Sequence, residues 1–288
     1  MSSKQIRVVI GTILVLVILG LFALDHVLES RVAGSLVAAL LGLAGFLEFA
    51  KMTGSLSKEH VARSRALTVI GALATAYFLA LAWWQGAASA AGSTETALSS
   101  EWLAGGIVAL VFFCFVSILF RTGYAAPFPS LPPIVLGVLL FGLLYSYLLR
   151  IYVEYGTLVG VVFCLGVKGT DISAYLVGSA VGKHRYLKVS PGKTIEGSVA
   201  ALVFGALWFG GAAWLRPEFD FSWPVGMVFG IILAVTSPLG DLAESLLKRC
   251  YGVKDSGALL PEFGGVLDLI DSFLFSSFVF WCLLACRW

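Results

Sequence analysis

The fold is decided by residues 224–249, PVGMVFGIILAVTSPLGDLAESLLKR. The first part of this stretch is long and apolar, as expected of a helix that crosses a bilayer, for which roughly 20 apolar residues suffice. The last part alternates Leu with polar side chains that recur at i, i+3, i+4 and i+7, so they share one face of a helix. This polar stripe consists of Asp241, Glu244, Ser245 and Lys248.

A break in this helix is predicted next to the stripe. Pro238 and Gly240 interrupt the apolar run, and a broken helix in a membrane is tolerated where its freed backbone groups face protein or a cavity. An ion pair between Glu244 and Lys248 explains part of the stripe, but it leaves Asp241 unexplained.

The whole chain has the composition of a membrane protein. Of its 288 residues, 59% are hydrophobic and 12% are charged, which excludes a soluble globular domain. Its net charge of +2 is divided among loops, so a nucleic-acid-binding surface is not expected. We predict an all-α polytopic membrane protein with about nine transmembrane helices, at residues 8–24, 32–50, 66–85, 102–120, 132–149, 157–181, 196–215, 224–246 and 266–286.

The distribution of basic residues predicts the orientation, because Lys and Arg concentrate in cytoplasmic loops. With the N-terminus in the cytoplasm and the spans alternating, 14 of the 19 Lys and Arg residues fall inside, 4 fall outside, and Lys168 lies within a span. This asymmetry supports nine spans, a cytoplasmic N-terminus and an external C-terminus. The first apolar run is too long for a typical signal peptide and is followed by no small-residue cleavage site, so it is predicted to be a retained helix.

Two regions differ in their polar content. Residues 1–150 are predicted to be scaffold helices and residues 151–288 the catalytic region, because the membrane-deep polar residues are concentrated after Lys168. Glu48, beside Lys51, is the exception in the first region, and it is either an interfacial ion pair or a residue at the rim of a site.

Carboxylates within apolar segments are the strongest functional signal. A charge in hydrocarbon costs a few kcal/mol or more, so it needs a partner and usually has a function. Asp268 and Asp271 are one turn apart and repel each other, which predicts a bound divalent cation; the alternative is a pair of acids at a helix N-terminus. The five acids are Asp171, Glu196, Asp241, Asp268 and Asp271.

Two further stretches carry polar side chains. Asp171 and Tyr175 share a helix face, where they either line a site or form a buried hydrogen bond. Residues 190–197, SPGKTIEG, precede a helix whose free N–H groups offer an anion site. Thr194 is alternatively a plain N-cap, with Glu196 favourable in the first turn.

Together these stretches resemble the phosphatidate cytidylyltransferase (CDP-diacylglycerol synthase) family. Its S-x-x-K-R-x4-K-D segment, Gly-Gly segment and pair of acids are matched, as are its S-P-x-K-T-x-E-G and D-x-x-A-Y segments. Two positions depart from the pattern: Phe263 replaces a His and Leu269 an Arg. The matching residues of the first three segments are Ser245, Lys248, Arg249, Lys254, Asp255, Gly264, Gly265, Asp268 and Asp271.

The resemblance implies an enzyme that condenses phosphatidate with CTP into CDP-diacylglycerol and pyrophosphate. It implies Mg²⁺, possibly with a second cation, held by Asp241, Asp268 and Asp271, and catalytic roles for these three acids with Lys248 and Arg249. The implied substrate-binding residues are Asp171, Tyr175, Lys183, Ser190, Lys193, Thr194, Glu196, Ser245, Lys254, Asp255, Gly264 and Gly265.

The expected setting is the bacterial inner membrane, with the site facing the cytoplasm, where CTP is found. The expected partners are CTP, phosphatidate and the lipid bilayer, with a homodimer possible by analogy and nucleic acid excluded. The alternatives are a CTP-dependent polyprenol or phytol kinase-like enzyme, a cation-coupled transporter and a catalytically inactive paralogue.

Overall fold

The structure is a computed structural model, and the part of the chain that it describes is helical. In that part, the sole strand-like contact is one antiparallel bridge between Arg185 and Thr194, so the all-α prediction is confirmed there. The described residues are 20–28, 30–54, 61–91, 102–103, 105–113, 131–186, 190, 192–216, 219–253, 256–257 and 265–286.

The described residues contain ten α-helices and one π-helix. They are α1 (20–27), α2 (Val32–Gly54), α3 (Val61–Ala90), α4 (105–113), α5 (Leu131–Gly137), α6 (Ser146–Tyr155), α7 (Thr157–Val181), α8 (Ile195–Leu215), α9 (Trp223–Cys250) and α10 (Val266–Ala285), with a π-helix, Val138–Leu144, joining α5 to α6.

Within the described residues, seven segments are long and apolar enough to cross a membrane, which makes this an integral membrane protein. They are Val32–Thr53, Leu67–Ala90, Pro132–Tyr155, Thr157–Val181, Ile195–Leu215, Trp223–Cys250 and Val266–Ala285. Each corresponds to one of the predicted spans. Of the two other predicted spans, 8–24 lies largely outside the described residues and 102–120 lies partly outside them; their described parts, which include residues of α1 and α4, are helical.

Helices α7 to α10 form a bundle around an aromatic core. The rings of Phe163 and Phe280 stack with their centroids 4.9 Å apart, and Phe209 lies 5.5 Å from Phe280. These three rings and Phe229 are almost fully buried. Because aromatic rings bury large areas and prefer specific geometries, they fix how the four helices face one another.

Helices α8 and α9 cross at very close range. A Cβ atom added to Gly230 would clash with the carbonyl group of Gly205, so the two backbones touch at this point. Small residues permit this approach between membrane helices, where van der Waals packing replaces the hydrophobic effect as the driving force.

The motif-bearing ends of the helices meet at one end of the bundle. The Nζ atom of Lys248, near the end of α9, lies 2.7 Å from Asp268, in the first turn of α10. Lys193, just before α8, contacts Asp241 of α9. Glu48, near the end of α2, accepts a hydrogen bond from the backbone N–H of Leu267. The polar groups are therefore concentrated at a single end of the helix bundle.

Candidate active site

The centre of the site is formed by three acids from two helices. One carboxylate oxygen from each of Asp241, Glu244 and Asp271 lies within 4.8 Å of the others. Asp241 and Glu244 are one turn apart on α9, and Asp271 faces them from α10. We call these three residues the acid cluster. Glu244 and Asp271 are buried and Asp241 is partly exposed; like charges at this separation repel, so nearby positive charge stabilises the arrangement.

The close approach of α9 to α10 brings the three acids together. Gly240 lies so near α10 that a Cβ atom at this position would clash with the carbonyl oxygen of Asp271. Pro238 lies inside α9, and its carbonyl oxygen accepts a hydrogen bond from Lys193 at 3.3 Å. The predicted break is wrong, because α9 is one continuous helix from Trp223 to Cys250.

Lys248 binds two of the surrounding acids. Its Nζ atom lies 2.9 Å from Glu244 and 2.7 Å from Asp268, which confirms the predicted Glu244–Lys248 pair. Asp268 also accepts hydrogen bonds from Ser256 Oγ at 3.0 Å and from the backbone N–H of Gly265 at 2.8 Å. Asp268 thus stabilises the N-terminus of α10 while it neutralises Lys248.

Lys168 and Asp171 lie on the α7 side of the cluster. The Nζ atom of Lys168 lies 3.7 Å from Asp271 and 3.9 Å from Asp171. Asp171 accepts a hydrogen bond from Ser237 Oγ at 2.8 Å. The alternative of a buried pair between Asp171 and Tyr175 is wrong, because Tyr175 is 73% exposed.

The segment before α8 contributes both a cap and a cation. The Thr194 hydroxyl oxygen accepts a hydrogen bond from the Gly197 N–H at 3.2 Å, so the predicted N-cap is confirmed. Lys193 Nζ lies 2.6 Å from Asp241. Glu196 points elsewhere, since its carboxylate contacts His184 Nδ1 at 2.7 Å, and it is the one predicted intramembrane acid that pairs away from the cluster.

The remaining predicted residues lie around this centre. Ser190 accepts a backbone hydrogen bond from Lys193, and Gly265 is buried at the start of α10. Ser245 is half-buried on α9, whereas Arg249 and Lys183 are exposed at helix ends. Three predicted residues, Lys254, Asp255 and Gly264, lie outside the described residues, as does Phe263.

Glu48 is a site residue that the sequence left open. Its side chain is 2% exposed, and it accepts a hydrogen bond from the Leu267 N–H at 3.0 Å. It therefore contacts the N-terminus of α10, where a negative charge is favourable. Of the two alternatives for Glu48, an interfacial ion pair with Lys51 or a residue at the rim of a site, its burial at the N-terminus of α10 favours the second.

The donor set fits a hard divalent cation such as Mg²⁺. Carboxylate oxygens are the protein ligands that Mg²⁺ prefers, and it is commonly held by one or two carboxylates together with substrate phosphates. The acid cluster supplies three such groups within 4.8 Å. Lys193 and Lys248 border it, so anionic phosphates approaching the cluster would meet positive charge.

Comparison with known proteins identifies the family. The chain matches the model of the Cytidylyltransferase family over residues 5–287, and it belongs to that family. A phosphatidate cytidylyltransferase of Synechocystis sp. is 41% identical over 130 residues, which are 42% of this chain and 41% of that protein.

Two other relatives carry the same name. The phosphatidate cytidylyltransferase of Bacillus subtilis is 37% identical over 145 residues, 49% of this chain and 54% of the relative. Phosphatidate cytidylyltransferase 5, chloroplastic, of Arabidopsis thaliana is 40% identical over 119 residues, 40% of this chain and 28% of the relative. The matched stretch thus spans about half or less of the length of these relatives.

Proposed function

We propose that this protein is a phosphatidate cytidylyltransferase, which joins phosphatidate to CTP and releases pyrophosphate. The observation that carries the proposal is the acid cluster with Lys193 and Lys248 at its border. Family membership and the names of the relatives support the same reaction.

The reaction is a displacement at the α-phosphorus of CTP. A phosphate oxygen of phosphatidate forms a new bond to that phosphorus, and the bond from the phosphorus to the bridging oxygen of the β-phosphate breaks. Both reactants are anions, so charge repulsion and positioning make up much of the barrier. A general base is unnecessary, because the attacking phosphate is already ionised at neutral pH.

The protein's own side chains position these anions. Lys248 and Arg249 lie in the last turn of α9 and are proposed to bind the phosphates of CTP. Ser190, Lys193 and Thr194 lie before or at the N-terminus of α8, where free N–H groups favour an anion, and are proposed to bind phosphate. Lys183, Tyr175, Ser245, Lys254 and Asp255 are proposed to line the surrounding substrate cavity.

Asp241, Glu244 and Asp271 are proposed to hold Mg²⁺. When bound, the ion would neutralise phosphate charge and orient the phosphate oxygens. Asp268, a metal ligand by resemblance, is engaged with Lys248, Ser256 and Gly265. We propose that it orients Lys248 and is at most an additional ligand.

The membrane setting completes the proposal. We infer about nine spans, a cytoplasmic N-terminus, an external C-terminus and a site that faces the cytoplasm of a bacterial inner membrane. The clustering of the motif-bearing helix ends at one end of the bundle supports a single-sided site. We also propose that residues 1–150 form a scaffold and residues 151–288 a catalytic region. A homodimer is proposed by analogy with the family.

One assay tests the reaction. Purified protein is incubated with phosphatidate, Mg²⁺ and CTP labelled in the cytidine. Labelled lipid with release of pyrophosphate is the expected result. Phosphorylation of a polyprenol or phytol with release of CDP would indicate a lipid kinase, and the absence of any product with a folded protein would indicate an inactive paralogue.

A further inference from the structure

Glu48 is a buried carboxylate that α2 directs at α10. Its side chain is 2% exposed, and its Oε1 atom accepts no hydrogen bond from the described residues. Burying a carboxylate in this way is costly. Packing sets its position, because a Cβ atom added to Gly45, one turn earlier on the same face of α2, would clash with Ile270 of α10. A costly polar group is therefore held against the start of α10 by the packing of two helices.

The second oxygen of Glu48 binds the first turn of α10. Its Oε2 atom accepts a hydrogen bond from the Leu267 N–H at 3.0 Å. An N–H group in the first turn has no partner within its own helix, so this one depends on Glu48. A Cβ atom added to Gly257 would lie 2.5 Å from Oε1, and one added to Gly265 would clash with Oε2. The carboxylate thus contacts the backbone closely at Gly257 and Gly265, both of which precede α10.

Asp268 binds the same helix end and connects it to Lys248. One of its oxygens accepts hydrogen bonds from the Gly265 N–H at 2.8 Å and from Ser256 Oγ at 3.0 Å. The other oxygen lies 2.7 Å from the Nζ atom of Lys248. Glu48 and Asp268 therefore bind different N–H groups at the start of α10. Because Asp268 lies in this first turn, the direction in which it holds Lys248 depends on the orientation that Glu48 gives the turn.

We propose that Glu48 is a positioning residue for the reaction, which acts through the first turn of α10 and Asp268 to set the location of the Lys248 ammonium group. Helix α2, which lies in the region proposed as a scaffold, thereby takes part in arranging the substrate site. The kinetic consequences rest on the proposed function, whereas the contact between Glu48 and α10 does not. Glu48 itself is not placed in contact with the reacting atoms.

Three variants of Glu48 separate this role from simple packing. Glu48→Ala removes the acceptor oxygen, whereas Glu48→Gln keeps an acceptor of the same reach without the charge. Glu48→Asp keeps the charge but is one methylene shorter, and it provides the same tests if Glu48→Ala does not fold. The controls are Asp220→Ala and Arg216→Ala, which change exposed residues between α8 and α9, at the ends of these helices opposite to Lys193 and Lys248.

The first measurement needs no substrate. Hydrogen exchange of the Leu267 amide in detergent, read by mass spectrometry, is expected to be roughly tenfold faster or more in Glu48→Ala than in the wild type, because a hydrogen bond to a charged group is lost. Exchange within α8 should be unchanged, which distinguishes a local change from global unfolding. Glu48→Gln and Asp220→Ala are expected to keep nearly the wild-type protection of Leu267.

The second measurement is the steady-state kinetics of labelled-lipid synthesis. We expect Glu48→Ala to raise KM for CTP and to lower kcat/KM roughly tenfold, because Lys248 is displaced. A mere loss of folded protein would lower kcat and leave KM unchanged. The combined variant Glu48→Ala with Lys248→Ala is expected to lose less than the product of the two single losses, since both changes act on one ammonium group. Glu48→Gln should retain most of the activity, and Arg216→Ala should leave KM unchanged.

The proposal is overturned if Glu48→Ala keeps the wild-type KM for CTP, or if the combined variant loses the full product of the two single losses. Unchanged exchange at Leu267 in Glu48→Ala would overturn it as well. A wild type that makes no labelled lipid overturns the proposed function instead. Hydrogen exchange separates the two failures, because it reports the contact between Glu48 and α10 without any substrate.

Discussion

The Nζ atom of Lys193 lies 2.6 Å from an Oδ atom of Asp241. The lysine belongs to the segment before α8 and the acid to α9, so this ion pair ties a loop to the acid cluster. Lys193 also donates to the carbonyl oxygen of Pro238. The loop proposed to bind phosphate is thereby held at the cluster.

Loss of this ammonium group is expected to impair use of CTP. Hydrogen bonds to charged groups contribute about 1.5–3 kcal/mol, so Lys193→Ala should lower kcat/KM for CTP by roughly 10- to 150-fold. Lys193→Arg, which keeps the charge, should lose less. Steady-state kinetics with Arg216→Ala as the charge control checks this, and an unchanged kcat/KM would remove Lys193 from the site.

Asp268 and Asp271 are expected to differ although they are one turn apart. Asp271→Asn should weaken Mn²⁺ binding by tenfold or more, because it removes a ligand from the acid cluster. Asp268→Asn should abolish turnover with the protein inserted and folded, yet weaken Mn²⁺ binding by less than Asp271→Asn does. Equal losses of Mn²⁺ affinity in the two variants would instead make Asp268 a metal ligand. Near-normal turnover of Asp268→Asn would exclude it from the site.

Gly240 is expected to tolerate no side chain. Its added Cβ would clash with the Asp271 carbonyl oxygen, and overpacking typically costs about 1–3 kcal/mol. Gly240→Ala should therefore lower the thermal unfolding midpoint in detergent and separate Asp241 from Asp271. The matched control is Gly211→Ala, where an added Cβ meets nothing within 4 Å. Equal stability of the two variants would contradict the close approach.

Asp25 is expected to make stability depend on pH in the acidic range. Burial raises the pKa of this carboxyl, but hydrogen bonds from the Gly34 N–H, Ser30 and Tyr152 outweigh burial and hold its pKa below the ordinary value. Because the folded state favours the ionised form, the stabilisation is present above the unfolded pKa of about 4 and is lost as pH falls through the folded value.

The variant Asp25→Asn tests this dependence. Its unfolding midpoint should lie below that of the wild type at neutral pH, and the difference should shrink as the pH is lowered below about 4. Arg216→Met, a change at an exposed residue just after α8, serves as the control. A difference that stays constant across this pH range would show that Asp25 contributes no ionised-state stability.

The sequence predicted the helices well because apolar length is a strong signal. All seven described spans begin within one residue of a predicted span. The π-helix Val138–Leu144 had no comparable signal, since its Leu- and Val-rich sequence suits an ordinary helix equally well. The predicted break at Pro238 was wrong, because α9 continues as one helix through this proline. In a membrane protein, neighbouring helices can satisfy the backbone groups that a proline frees.

The site was predicted in outline but not in its pairings. The spacing of Asp241 and Glu244 placed both on one helix face. Because Glu244 was assigned to an ion pair with Lys248, it was not predicted to be a metal ligand. Its membership of the acid cluster depends on how α10 approaches α9, which spacing along one helix does not encode. Glu48 reaches Leu267 across 219 residues of sequence, a contact that arises from tertiary packing alone.

The placement of the lysines has a consequence for biosynthesis. Helix α7 carries Lys168 with Asp171, and α9 carries Lys248 with Glu244. Each of these two helices therefore contains an acid and a lysine that can pair within the helix as it is synthesised. Helix α10 carries two acids and no basic residue, and an Asp deep in a helix inserts at a cost of up to about 3 kcal/mol. Its insertion is therefore favoured when α7 and α9, which precede it in the chain, are already in the membrane and present Lys168 and Lys248 to its two acids.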